Sequence, residues 1–166
     1  MGRKAGIKSP TVTFPSPIAA PADSLLVLMA HARGFQIYIC RPEGWVLKAP
    51  EALLYDQQGN VIGTHFGGPT WQHSDGSEMV GKMSAKVDAP EASAIPWLLL
   101  NVTSHSGNGL FSRITFIQRI NTVGGLPPSS LCAESNRDAE FRSPYSADYC
   151  FYAAKSALSL ANQAGS

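Results

Sequence analysis

A chain of 166 residues, with thirteen Lys and Arg against twelve Asp and Glu for a formal charge of +1, predicts a single domain. That balance argues against a large electrostatic footprint for nucleic acid or an anionic membrane, and no window approaches the ~18 apolar residues of a spanning helix. Fifteen Gly and twelve Pro are dispersed, so the chain is turn-rich without being low in complexity.

Residues 1–22 hold Pro10, Pro15, Pro17 and Pro21 and no periodic pattern; they predict an extended arm, with Phe14 and Ile18 pinning it across a sheet edge. The basic start resembles the charged region of a leader. The apolar run behind it, Leu25 to Ala30, is only six residues long and follows Asp23, so no clear signal peptide is expected and Ser24–Ala32 reads as a strand. Phe35–Cys40 alternates, breaks at Arg41–Gly44 and resumes at Trp45–Lys48. Ala52–Tyr55 and Val61–Phe66 flank a short polar loop as a hairpin. Thr70–His73 and Glu78–Val87 flank a tight turn containing Asp75-Gly76. Trp97–Ser104 and Arg113–Ile120 flank the Gly-rich loop 106–109, residues 123–144 form a long irregular excursion, and Tyr145–Tyr152 is a further strand. Only Ala153–Ala164 has helical composition. Roughly nine to eleven short strands predict an all-β single domain over 23–152, an antiparallel barrel or a two-sheet sandwich, with a short C-terminal helix within 153–166.

Period-two alternation sorts side chains by face. Leu98, Leu100 and Val102 share one face, and Leu99, Asn101, Thr103 and His105 the other. Ile114, Phe116 and Ile120 fall with Gln118, opposite Arg113, Thr115, Ile117 and Arg119. Met79, Gly81, Met83, Ala85 and Val87 form an apolar row, with Lys82 facing away. The densest set of functional side chains is Gly63–Ser77, which holds His65, Trp71, His73 and Asp75. Its histidines and Asp75, with His105, are donors a metal could use, but the spacing fits no finger or HExxH helix, so no metal site is assigned. No GxSxG elbow, complete dinucleotide loop or phosphate-binding GxxxxGK[ST] appears. Cys40, Cys132 and Cys150 are too widely spaced for a zinc knuckle. One disulfide with one free thiol, or three reduced thiols, satisfies the count equally.

Several long words, among them Ala30–Cys40, Trp45–Glu51, Gly63–Trp71, Ile95–Leu100, Ser104–Gly109 and Ile117–Gly125, resemble a family of bacterial and fungal proteins catalogued as domain of unknown function 3455. The resemblance runs from about residue 24 to 152. It implies a secreted or periplasmic protein and a Cys40–Cys132 pairing. Cys150 stands where the family usually has an aromatic residue. The malate dehydrogenase label carried by some members has no Rossmann pattern here to support it. The resemblance implies no established activity, and it directs attention to His65, Trp71, Asp75, His105 and Arg119.

Three functions compete. The first is a cofactor-independent enzyme of lyase, cyclase or isomerase type acting on a small organic molecule. In it His65 or His105 moves protons with Asp75, Arg119 or Lys82 holds an anionic group, and Phe66, Trp71 and Tyr145 contact the substrate. The second is a non-catalytic secreted module that binds a small ligand or glycan through its aromatics. The third is a metal protein using the histidines. The first is the leading expectation, with no cofactor and with no nucleic-acid or membrane partner.

Overall fold

The computed structural model describes residues 16–156, and eight antiparallel strands close there into one barrel. They are β1 (Ser24–Arg41), β2 (Gly44–Tyr55), β3 (Val61–Phe66), β4 (Thr70–His73), β5 (Glu78–Val87), β6 (Trp97–Ser106), β7 (Ile114–Gly124) and β8 (Glu140–Ala154). Each pairs with its chain neighbour, and β1 pairs with β8 along almost its whole length, from Ser24↔Ala154 to Ile39↔Glu140. Closure leaves no unpaired sheet edge at that seam. Of the two expected architectures, the barrel is the one the chain adopts.

The strands are fewer and longer than the turn signals suggest. Gly34 does not end a strand: a Cβ there would meet the Glu51 carbonyl at 2.1 Å and Ala52 Cα at 2.6 Å, so glycine lets β2 lie close against an unbroken β1. Pro50 likewise sits inside β2, opposite Gln36. Pairing of β2 with β3 begins only at Ala52, so Pro50 lies on a stretch with no ladder on that side, where its missing N–H costs nothing. That unpaired stretch leaves an opening in the barrel wall.

Inside, small residues on β1, β2 and β8 (Ala30, Ala32, Ala52, Ala147) face large ones elsewhere, including Trp71, Tyr149, Phe151 and Leu54. This small-against-large distribution fills a narrow barrel. One end is plugged by the 3-10 turn Leu110–Arg113, which buries Phe111 completely. The other end is partly covered by the β7–β8 connection, which Cys132 ties to Cys40 at the end of β1 by a disulfide with a Cα–Cα distance of 5.5 Å. The third cysteine, Cys150, is a free buried thiol, and burial pushes its pKa up to about 12.

A second, smaller core lies outside the barrel. Residues Ser16–Ile18 form a 3-10 turn, and Ile18 is buried against Leu99, Ile120 and Cys150. Its carbonyl accepts a 2.7 Å hydrogen bond from Gln118 Nε2, while Gln118 Oε1 accepts one from Tyr152. Ile18 therefore pins its segment across a sheet face, not across an edge, because the barrel offers no edge there. The expected position of Phe14, the rest of the arm to residue 15 and the helix beyond Ser156 lie outside the described residues. Ala153 and Ala154, expected to be helical, belong to β8, where they pair with Leu25 and Ser24.

Bulges correct two face assignments. The register shifts between Ile114 and Phe116, so Ile114 joins Ile117 inside while Phe116 packs outside. A shift between Met83 and Ala85 likewise turns Ala85 and Val87 outward, beneath Ile18. One extra residue reverses the parity of everything beyond it.

Candidate functional site

The β3–β4 hairpin sets His65 opposite Trp71, and both point into the barrel. Their rings stack at 4.3 Å with planes 20° apart, and Tyr149 meets both edge-on. Arg119 enters from β7, where it pairs with Leu98 on β6 and Tyr149 on β8. Together these residues line a cavity of about 330 Å³. Its floor is Trp71, Tyr149 and Leu100, all buried. Its rim includes Leu47 and Met83, which are 50% and 52% exposed, and the Gly68-Pro69 cis peptide at the β3–β4 turn. It opens where β2 has not yet paired with β3.

Electrostatically the cavity is positive, and the charge is Arg119. Its Nε and Nη2 donate to the Pro96 carbonyl at 3.1 and 2.7 Å, which fixes the guanidinium and leaves Nη1 without a carbonyl partner. Among the described residues no carboxylate pairs with it. The other cation in the lining, Lys48, is already paired with Glu140. The Arg119 charge reaches Tyr38, His65, Tyr145 and Tyr149. Burial raises the pKa of each of these three phenols, and the neighbouring guanidinium partly opposes it.

His65 is neutral. Its Nδ1 lies 2.8 Å from the Thr70 carbonyl, so Nδ1 carries the proton and Nε2 is the bare acceptor. Burial, against the pull of that hydrogen bond and with help from Arg119, lowers its pKa to about 3. Gln36, also in the lining, is 3% exposed.

Of the residues singled out in the sequence, His65, Trp71 and Arg119 meet in this cavity. Tyr145 lies beside it inside the barrel, its hydroxyl 3.2 Å from that of Tyr149, without lining it. Phe66 follows His65 on β3 and therefore faces out, 37% exposed. Lys82 sits between the inward Gly81 and Met83 and is exposed. His105 lies toward the plugged end, where Nε2 meets the Ile114 carbonyl at 2.7 Å.

Asp75 corrects the expectation most sharply. It stands in the β4–β5 turn, beyond the end of β4 at His73 and four residues from the Trp71 that faces His65. Its carboxylate accepts from Ser77 N (2.8 Å), Ser77 Oγ (2.6 Å) and Leu110 N (2.8 Å), and so clamps the plug. Those bonds, led by the Ser77 hydroxyl, hold its pKa down at about 2. Because the folded value is depressed from 3.8, this stabilisation is present above the ordinary carboxylate range and is lost as pH falls toward about 2. Melts between pH 5 and pH 2 are expected to show a steep loss that Asp75→Asn flattens, with the variant less stable at neutral pH. Parallel curves would show that the clamp contributes nothing.

Sequence reasoning missed Gln36 and Tyr149. Alternation alone finds Tyr149, which shares its parity with Tyr145, Ala147 and Phe151 on β8.

No curated protein and no solved structure matches the chain. Residues 21–153 match a family described as protein of unknown function, DUF3455. This match covers most of the chain and nearly all of the barrel, and the chain belongs to that family.

Proposed function

We propose that the barrel binds a small organic anion in the Arg119 cavity. The observation that carries this reading is a guanidinium held inside the barrel wall with no carboxylate among the described residues to neutralise it. An unpaired charge in a sheltered site is costly, and an incoming anion relieves that cost. The cavity volume of about 330 Å³ suits a small molecule. The Cys40–Cys132 disulfide supports work in an oxidising compartment, outside the cell or in a periplasm.

Binding is favoured over lyase, cyclase or isomerase turnover by the state of His65. A general base works best with a pKa near the operating pH, whereas burial holds His65 at about 3, and the Asp75 carboxylate is taken up by Ser77 and Leu110. His65 serves instead as a neutral acceptor stacked on Trp71. Calorimetric titration with a panel of mono-, di- and tricarboxylates and inorganic phosphate tests the reading. At least one organic anion is expected to bind, and Arg119→Met is expected to weaken it at least tenfold, the scale of one charge-assisted hydrogen bond. An unchanged affinity in Arg119→Met overturns the proposal.

A further inference from the structure

Resting on that binding reading, we infer that the ligand is an amphipathic monocarboxylate, its single charge on Arg119 and its hydrocarbon passing out across Leu47 and Met83. Charge counting sets the first half. The lining contains two cations: Lys48 is half exposed and ion-paired with Glu140, which leaves Arg119 as the one sheltered, unpaired charge. A second negative group inside the cavity finds no second cation, since His65 is buried and keeps its proton on the Thr70 side only. A dicarboxylate short enough to fit entirely inside, or a phosphate dianion, would therefore bury one charge unpaired.

The wall sets the second half. Around the guanidinium the surface is mostly hydrocarbon: Ala49, Pro50, Pro69, Leu98 and Leu100, with the Trp71 ring on the floor. Besides the cations, the polar side chains in the lining are Gln36, His65, the Tyr149 hydroxyl and the Trp71 indole N–H, enough to seat one carboxylate beside Arg119 and too few to solvate a polar body. At the mouth Leu47 and Met83 are half exposed on one rim, an apolar exit that packing within the barrel leaves uncovered. A chain longer than the cavity would lie over them.

The experiment titrates the whole protein with butanoate, hexanoate and octanoate, and with succinate, citrate and inorganic phosphate, in parallel with Arg119→Met and with the rim variant Leu47→Asn/Met83→Gln. Affinity is expected to rise roughly threefold to fourfold for each methylene buried. Octanoate should bind at least tenfold tighter than succinate, citrate or phosphate. The rim variant should weaken octanoate severalfold and butanoate markedly less. If succinate, citrate or phosphate matches octanoate and the binding still depends on Arg119, the monocarboxylate inference fails while the anion-binding reading stands. It fails in the same way if affinity ignores chain length or the rim variant leaves octanoate unchanged. If no anion binds, or Arg119→Met changes nothing, the reading beneath it fails as well.

Discussion

Removing the disulfide with Cys40→Ala/Cys132→Ala is expected to lower stability by about 4–5 kcal/mol. The bridge spans 92 residues, and in the chain-entropy model cross-linking a loop of that length restricts the unfolded chain by about this amount. Domains are stable by only about 5–15 kcal/mol, so such a loss leaves a marginal fold. The native state adds a local reason. Without the bridge, the β7–β8 connection is held near β1 by two backbone bonds, Cys40 N–H to the Ala139 carbonyl and Asp138 N–H to the Cys40 carbonyl, and by surface contacts such as the Arg41–Asp138 pair and the Trp45 bond to the Ser130 carbonyl. Surface contacts of this kind contribute little each. Denaturant unfolding of the oxidised protein and the double variant measures the difference. The remaining thiol, Cys150, is buried and its pKa is pushed up to about 12, which keeps it from exchanging in the folded state; Cys150→Ala in both proteins removes exchange on unfolding. A difference below about 1 kcal/mol would mean that the bridge does not restrict the unfolded chain as the chain-entropy model requires.

Trp71→Ala is expected to cost roughly 3–5 kcal/mol, the range for truncating a large buried aromatic. Trp71 is 1% exposed, stacks on His65 and touches Tyr149 edge-on, so its removal opens a hole beside two rings that already meet each other. Even Gly81 on β5 is shaped by it, since a Cβ there would come within 3.0 Å of the indole. Trp71→Phe separates ring packing from the indole N–H. Nε1 is buried with no acceptor among the described residues, so losing it costs no hydrogen bond, and phenylalanine should retain most of the stability. Equal losses in both variants would show that the indole's extra volume, not the presence of a ring, carries the effect.

Strand alternation made the all-β domain legible, because turn chemistry and period-two patterning are local. The closure of β1 onto β8 is not local; nothing in either strand's own sequence distinguishes a barrel from a sandwich. The site was legible in part for the same reason. His65 and Trp71 face each other across a hairpin only a few residues long, and their parity places both inside. Arg119 reaches them from a strand some fifty residues away and was found through the resemblance that singled it out. Asp75 misled because nearness along the chain is not nearness in space: the strand carrying Trp71 inward ends in the turn that carries Asp75 away. Phe66 misled for the converse reason, since adjacent residues on a strand face opposite sides. The faces of Ile114 and Ala85 were lost to bulges, which no periodic template anticipates.

A crystal structure of the protein soaked with octanoate would show the occupied cavity itself. Carboxylate density is expected within hydrogen-bonding distance of the Arg119 guanidinium, beside Gln36 and His65, with the chain directed toward Leu47 and Met83. A cavity filled by water alone, with Arg119 turned out to solvent or neutralised by a carboxylate of the protein itself, would rule out anion binding at this site.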